Sequence, residues 1–216
     1  MGDFRSKIGR ALLLPWHDRL NTFHGFWVRL KTTLYYRRVL GALGHGCKID
    51  KPLLLSNPRF IQIGDRTLIG PGARIEALVL DESHPPSLII GSNVNIEQNV
   101  HIICSSRIVI GDNVSITGHC AIVDTIHPYS DVNDPRKIGD RIDPNPSPVE
   151  IGEGTFIGYG SVILPNVRIG RNCVIGTNST VIRDIPDYCV VSGNPASIIK
   201  RYDFEKKTWN RELSIS

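Results

Sequence analysis

Residues 151–181 read IGEGTFIGYGSVILPNVRIGRNCVIGTNSTV, and this stretch decides the fold. An aliphatic residue recurs at every sixth position (Ile151, Ile157, Ile163, Ile169, Ile175, Val181), often with glycine after it. Four positions past each aliphatic stands a small or β-branched residue: Thr155, Ser161, Val167, Cys173 and Ser179, with only Ile185 bulky at the end of the run. The same two-position pattern extends toward the N-terminus. It runs through Ile110, Ile116 and Ile122 (with Val114, Cys120 and the bulky Ile126) and through Ile90, Ile96 and Ile102 (with Val94, Val100 and Ser106). It begins at Ile63, Ile69 and Ile75, with Thr67, Ala73 and Val79. A period of six fits neither a 3.6-residue helix nor an alternating hairpin sheet. It suits a short strand followed by a tight turn, the aliphatic pointing inward. Three such repeats close a triangular coil, and one coil cannot bury its own aliphatics, so stacked coils must supply the core as parallel sheets. The expected class is all-β, with Cys120 and Cys173 as core filler in the small-residue slots.

Outside this lattice the sequence is less regular. The 216 residues are 41% hydrophobic, which excludes disorder over most of the chain. No apolar run reaches the roughly 18–20 residues of a membrane span, and Ala11–Leu14 is too short for a signal-peptide core, so the expected location is cytoplasmic. Five cysteines, odd in number and without a CxxC pair, argue against a disulfide framework and a structural zinc site. A net charge of +4 suits an acidic ligand or an anionic surface and is too weak to point to nucleic acid.

Three regions are expected: an N-terminal helical cap (1–50), the β-helix domain (51–202) and a charged tail (203–216), read as a short helix or as lacking fixed structure. Two insertions interrupt the lattice, Asp81–Leu88 and the long Pro128–Glu150; a loop of the second size is usually functional or disordered. Leu20, Phe23, Trp27, Leu30 and Leu34 follow helical spacing, flanked by Arg19, Arg29, Lys31, Arg37 and Arg38. That helix reads first as a cap over the open end of the solenoid. Peripheral contact with the inner face of a membrane and contact between subunits are the alternatives. Met1–Ser6 also matches the loose myristoylation pattern, a weak signal.

Histidine is the natural candidate for proton transfer near neutral pH. His17, His24, His45 and His84 lie outside the lattice and read as structural or solvated. His101 and His127 each fall five residues after a core isoleucine, at an expected outward turn, whereas Asn99 and His119 fall three after theirs. With the coils in register, Asn99 and His119 stack as neighbours about 4.8 Å apart, forming a polar cluster on the wall beside the long loop.

The tandem [LIV]-G-x-x-[small]-x pattern resembles that of the hexapeptide-repeat acyltransferases, over roughly residues 45–202. The resemblance implies a left-handed parallel β-helix; the usual crossover rule gives the opposite hand. It is nearest to the sugar and polysaccharide O-acetyltransferases of that family. There a histidine just before a long loop is the general base, which Asp124-Thr125-Ile126-His127 resembles, so His127 is assigned that role. The same resemblance assigns Asn99, with its neighbour His119, to acceptor binding; Asp124 belongs to that group, as a candidate to orient the imidazole. It implies acetyl-CoA as co-substrate, without a metal, in a groove between the subunits of a homotrimer. By position, Tyr159, Gly160, Thr177 and Arg183 meet the carrier. Val190–Arg201 resembles the family's closing V-x-G-x-P-[AC] motif, with Lys200 and Arg201 suited to the CoA phosphates and Ser197 where the family often has a further basic residue. The implied reaction is direct acetyl transfer to a sugar hydroxyl in a ternary complex. N-acetylation of an amino sugar, a γ-carbonic-anhydrase-like zinc enzyme and a non-catalytic β-helix scaffold are the alternatives.

Overall fold

Isoleucine ladders organise the molecule. In the computed structural model, which describes residues 15–212, each sixth-position aliphatic meets its equivalent in the coils on either side. Ile96, Ile116, Ile157 and Ile175 stand in register along one sheet, and Ile102, Ile122, Ile163 and Val181 along another. None of these eight is more than 1% exposed. Fully burying such a side chain contributes about 1.5–3 kcal/mol, so the ladders are the main source of stability.

The chain visits three sheets in turn. The first runs through Ala42–Leu43, Ile61–Ile63, Ser87–Ile90, Arg107–Ile110, Val149–Ile151 and Arg168–Ile169. The second begins with Lys48–Ile49, Leu68–Ile69, Asn95–Ile96, Ser115–Ile116, Phe156–Ile157 and Val174–Ile175. The third contains Leu54–Ser56, Arg74–Ala77, His101–Cys104, Ala121–Val123, Val162–Ile163 and Thr180–Val181. Every pairing among these strands is parallel. The small-residue slots fit between coils because they satisfy turn backbone as they fill space. Thr155 donates its hydroxyl to the Gly170 carbonyl at 2.9 Å, and the Cys120 thiol lies 3.2 Å from the Gly158 carbonyl.

Between the second and third sheets the turns use a left-handed residue, at Asn99 (φ 55°), His119 (φ 61°) and Asn178 (φ 54°). Glycine takes that position at 160, where an added Cβ would collide with the side-chain oxygen of Asn178.

The helix α1 (Trp16–Lys31) continues through a π-turn (Thr32–Tyr36) into a last turn at Arg37–Val39. It docks on the first coil through buried Val28, Thr32 and Tyr36, and Tyr36 and Leu40 join the solenoid core. Thr32 fixes the contact: its hydroxyl donates to the Val28 carbonyl (2.7 Å) and accepts from the Ile49 amide (3.0 Å). The helical stripe read from the sequence therefore faces the other way, with Leu20, Phe23, Trp27 and Leu34 exposed. No helix among the described residues is long and apolar enough to cross a membrane. The Ala11–Leu14 and Met1–Ser6 patterns lie outside the described residues.

The insertions are shifted from their expected limits, because Ser87–Ile90 and Val149–Ile151 are strands already in register with their neighbours. The tail also differs from expectation. Thr208–Arg211 is a strand, antiparallel to Ala196–Asp203, which itself pairs with Cys189–Gly193. Aromatic contacts hold it: Tyr202 packs on Trp209 (ring centroids 5.3 Å) and Phe204 on Tyr188 (4.8 Å).

Candidate active site

The third sheet carries polar side chains at both ends of its strands. At its leading edge, Asn99 and His119 occupy equivalent turn positions in successive coils, and the Asn99 amide donates to Nε2 of His119 at 3.2 Å. One coil further, the Tyr159 ring lies against the His119 ring, centroids 5.1 Å apart, with Gly160 beside it. The Tyr159 carbonyl accepts the Asn178 amide (2.8 Å), which places exposed Thr177 next along the same edge. The residues assigned to acceptor and to carrier thus adjoin.

His127 stands at the trailing edge, beyond strand Ala121–Val123. Its exposed ring is held at Nδ1, 2.9 Å from the carbonyl of Arg141. A carbonyl only accepts, so Nδ1 carries a proton, and in the neutral ring the lone pair sits on Nε2. His119 has its Nε2 lone pair occupied by Asn99, whereas that of His127 has no partner among the described residues. That is the tautomer and exposure a general base requires. The two edges are separated by the length of a strand and its flanks, about 15 Å or more at the usual rise per residue. One chain does not bring His127 to Asn99.

Two expectations need correction. His101 is not at a turn: it belongs to strand His101–Cys104, paired with Arg74 and Ala121. Asp124 is fully buried, and its carboxylate accepts from Ser105 (backbone 2.5 Å, hydroxyl 3.1 Å) and Ser106 (backbone 2.9 Å, hydroxyl 3.0 Å). With both oxygens engaged, it neither orients the imidazole nor meets an acceptor. Instead it clamps the base of the long loop, where the Ser147 hydroxyl donates to its carbonyl. Burial, reinforced by that carboxylate, pushes the Cys104 thiol far above the usual thiol range.

Arg183 is exposed beyond strand Thr180–Val181, on the same edge as His127 and two coils on. Ser197, Lys200 and Arg201 lie on the antiparallel strand Ala196–Asp203, whose start pairs with Ser192 and Gly193, and the Gly193 amide donates to Ser179 beside the leading edge (3.2 Å). Arg201 is already engaged, forming an ion pair with Glu212 while its Nη1 lies 3.6 Å from the Cys189 sulfur.

A groove of 430 Å³ between α1 and the second sheet was not foreseen from the sequence. His24, Lys48, Asp50, Glu97 and Gln98 line it, so it ends one residue short of Asn99. Asp50 holds His24 at 2.9 Å through one carboxylate oxygen, and its other oxygen is buried without a partner. Among the described residues no group of three His, Cys, Asp or Glu side chains is arranged to hold a metal ion.

Comparison with known proteins bears on this geometry. The profile of the family described as bacterial transferase hexapeptide (six repeats) matches residues 148–183. The putative lipopolysaccharide biosynthesis O-acetyl transferase WbbJ of Escherichia coli is 30% identical over 84% of this chain and 89% of its own length. The galactoside O-acetyltransferase of the same organism is 30% identical over 76% of this chain and 74% of its length. Among solved structures, the N-acyltransferase AntD from Bacillus cereus, in complex with dTDP and 3-hydroxybutyryl-CoA, superposes with a TM-score of 0.66 at 22% identity. That match covers 79% of this chain and 87% of AntD.

Proposed function

The chain belongs to the hexapeptide-repeat acetyltransferases, and on that premise we propose that it moves an acetyl group from acetyl-CoA to a hydroxyl of a sugar or polysaccharide precursor. Its coils would then wind with the left hand of that family, with residues 51–202 as the catalytic unit, 1–50 as a cap and 203–216 as a tail. His127 is the base. Nε2 takes the acceptor hydroxyl proton as the oxygen attacks the thioester carbonyl, the C–S bond breaks, and the imidazolium returns the proton to the departing thiolate. No acyl-enzyme forms. The observation that carries this reading is the Nδ1–H bond to Arg141, which leaves Nε2 of an exposed residue without a partner among the described residues at the mouth of the loop.

Sugar as the acceptor class is supported by the O-acetyltransferase relatives and by the polar groove that ends beside Asn99. Asn99 and His119 bind the acceptor. Tyr159, Gly160, Thr177 and Arg183 meet the pantetheine arm, with Ser197, Lys200 and Arg201 toward its phosphates.

The separation of His127 from Asn99 supports a C3 homotrimer, in which the trailing edge of one subunit meets the leading edge of the next. The exposed stripe of α1, with Arg29, Lys31, Arg37 and Arg38 beside it, supports peripheral contact with anionic lipid at the inner face of a membrane.

Release of CoA thiol from acetyl-CoA, measured across free sugars, nucleotide sugars, oligosaccharides and their amino-sugar counterparts, tests the reading. Turnover with hydroxyl acceptors supports it. Turnover confined to amino sugars favours N-acetylation, the reading to which the AntD likeness points. No turnover with any of them refutes both.

A further inference from the structure

The long loop is folded around one buried cation. Arg141 is 8% exposed, and a guanidinium so far from water is stable only when its donors are met. They are met almost entirely by the loop's own backbone. Nε donates to the Arg136 carbonyl (3.0 Å), Nη1 to that of Asp131 (2.9 Å), and Nη2 to those of Asp134 (2.7 Å) and Arg136 (2.7 Å). The Asp134 carboxylate lies 3.4 Å from Nε and supplies the counter-charge, while also pairing with Arg136. Beyond the Ser147–Asp124 bond at the loop's base, two further bonds close the outgoing and returning limbs against each other. The Asp143 amide donates to the Ile126 carbonyl (2.9 Å), and His127 Nδ1 donates to the carbonyl of Arg141 itself (2.9 Å).

We infer that Arg141 is a positioning residue for the base: by gathering residues 131–136 onto its guanidinium, it holds its own carbonyl where that carbonyl fixes the tautomer and direction of the His127 imidazole. This rests on His127 being the base. Each end of one residue has a distinct task, the side chain ordering the loop and the main chain orienting the ring. Arginine suits the first because its planar fork spreads several donors over separate carbonyls, a geometry that a lysine ammonium does not reproduce. The isoleucine ladders close without the loop, so its loosening should leave the core folded.

The test uses full-length protein with 15N-labelled histidine, the His127 signals identified by their loss in His127→Gln. In the wild type Nε2 should show the shift of an unprotonated nitrogen. In Arg141→Ala the two tautomers should average, kcat with the best acceptor of the panel should fall about tenfold or more, and KM for acetyl-CoA should hold within about twofold. Arg141→Lys should recover only part of both signals, with melting temperature close to wild type in each variant. If Arg141→Ala keeps the wild-type His127 tautomer and kcat while His127→Ala is inactive, the inference is overturned and the proposed function stands. If His127→Ala retains turnover, the proposed function fails, whatever Arg141 does.

Discussion

Asn99 and His119 occupy the same left-handed turn position one coil apart, and the Asn99 amide donates to Nε2 of His119 at 3.2 Å. The bond uses the lone pair that a base would need. On the proposed reading His119 supports acceptor binding, not proton transfer. His119→Ala should raise the acceptor KM about fivefold, the size of one neutral hydrogen bond, with kcat within about threefold of wild type. Steady-state kinetics with acceptor varied at saturating acetyl-CoA measures both.

Ile116 tests the ladder. It is fully buried and in register with Ile96 and Ile157. Ile116→Ala removes a central rung and should cost about 2–5 kcal/mol in urea unfolding.

The closing strand alters what is expected of its cations. Arg201 pairs with Glu212, so Lys200 is the better placed to respond to CoA phosphates. Lys200→Ala should raise KM for acetyl-CoA about two- to fivefold, in keeping with about 0.5–1 kcal/mol for an exposed ion contact. Arg201→Ala should instead lower the melting temperature by loosening the terminal strand.

All five cysteines are free and buried. Burial pushes the thiols of Cys47, Cys104, Cys120, Cys173 and Cys189 up. Native protein at pH 8 should therefore react with a thiol reagent far more slowly than urea-unfolded protein. The raised values also give the sign of the alkaline response. Their contribution is fully present below about 8.5, the thiol's ordinary value, and is lost as pH rises above it toward the folded values. Melting temperature should fall across that range.

The fold was legible because each coil writes two coupled positions into the sequence, and both are buried in the solenoid, as at Ile116 and Cys120. The adjacency of Asn99 and His119 followed from the same arithmetic. The loop was not legible, since Arg141 makes its bonds to backbone carbonyls, which leave no side-chain pattern. Asp124 misled for a related reason: the DxxH form that resembles the family's motif made it a candidate partner of His127, but the amides and hydroxyls of Ser105 and Ser106 claim the carboxylate. In the helical segment, polar Thr32, at the start of the π-turn after α1, hid the docking face, while the more apolar stripe faces outward. In the tail, the high charge masked the aromatic contacts that hold its strand.

The separation of His127 from Asn99 gives a complementation test of the trimer. His127→Ala and Asn99→Ala proteins, each weakly active alone, should regain turnover when unfolded together and refolded as mixed trimers. Activity no greater than the sum of the two would place both residues in one subunit's site or remove one from it.

The base assignment is tested most directly by kcat for His127→Ala, measured with the best hydroxyl acceptor at saturating acetyl-CoA. Loss of a general base costs about 10²–10⁴-fold, so a fall of at least about 10²-fold is expected, with acetyl-CoA affinity nearly unchanged. A His127→Ala enzyme that retained wild-type kcat, while His119→Ala lost turnover, would contradict the account and exchange the two roles.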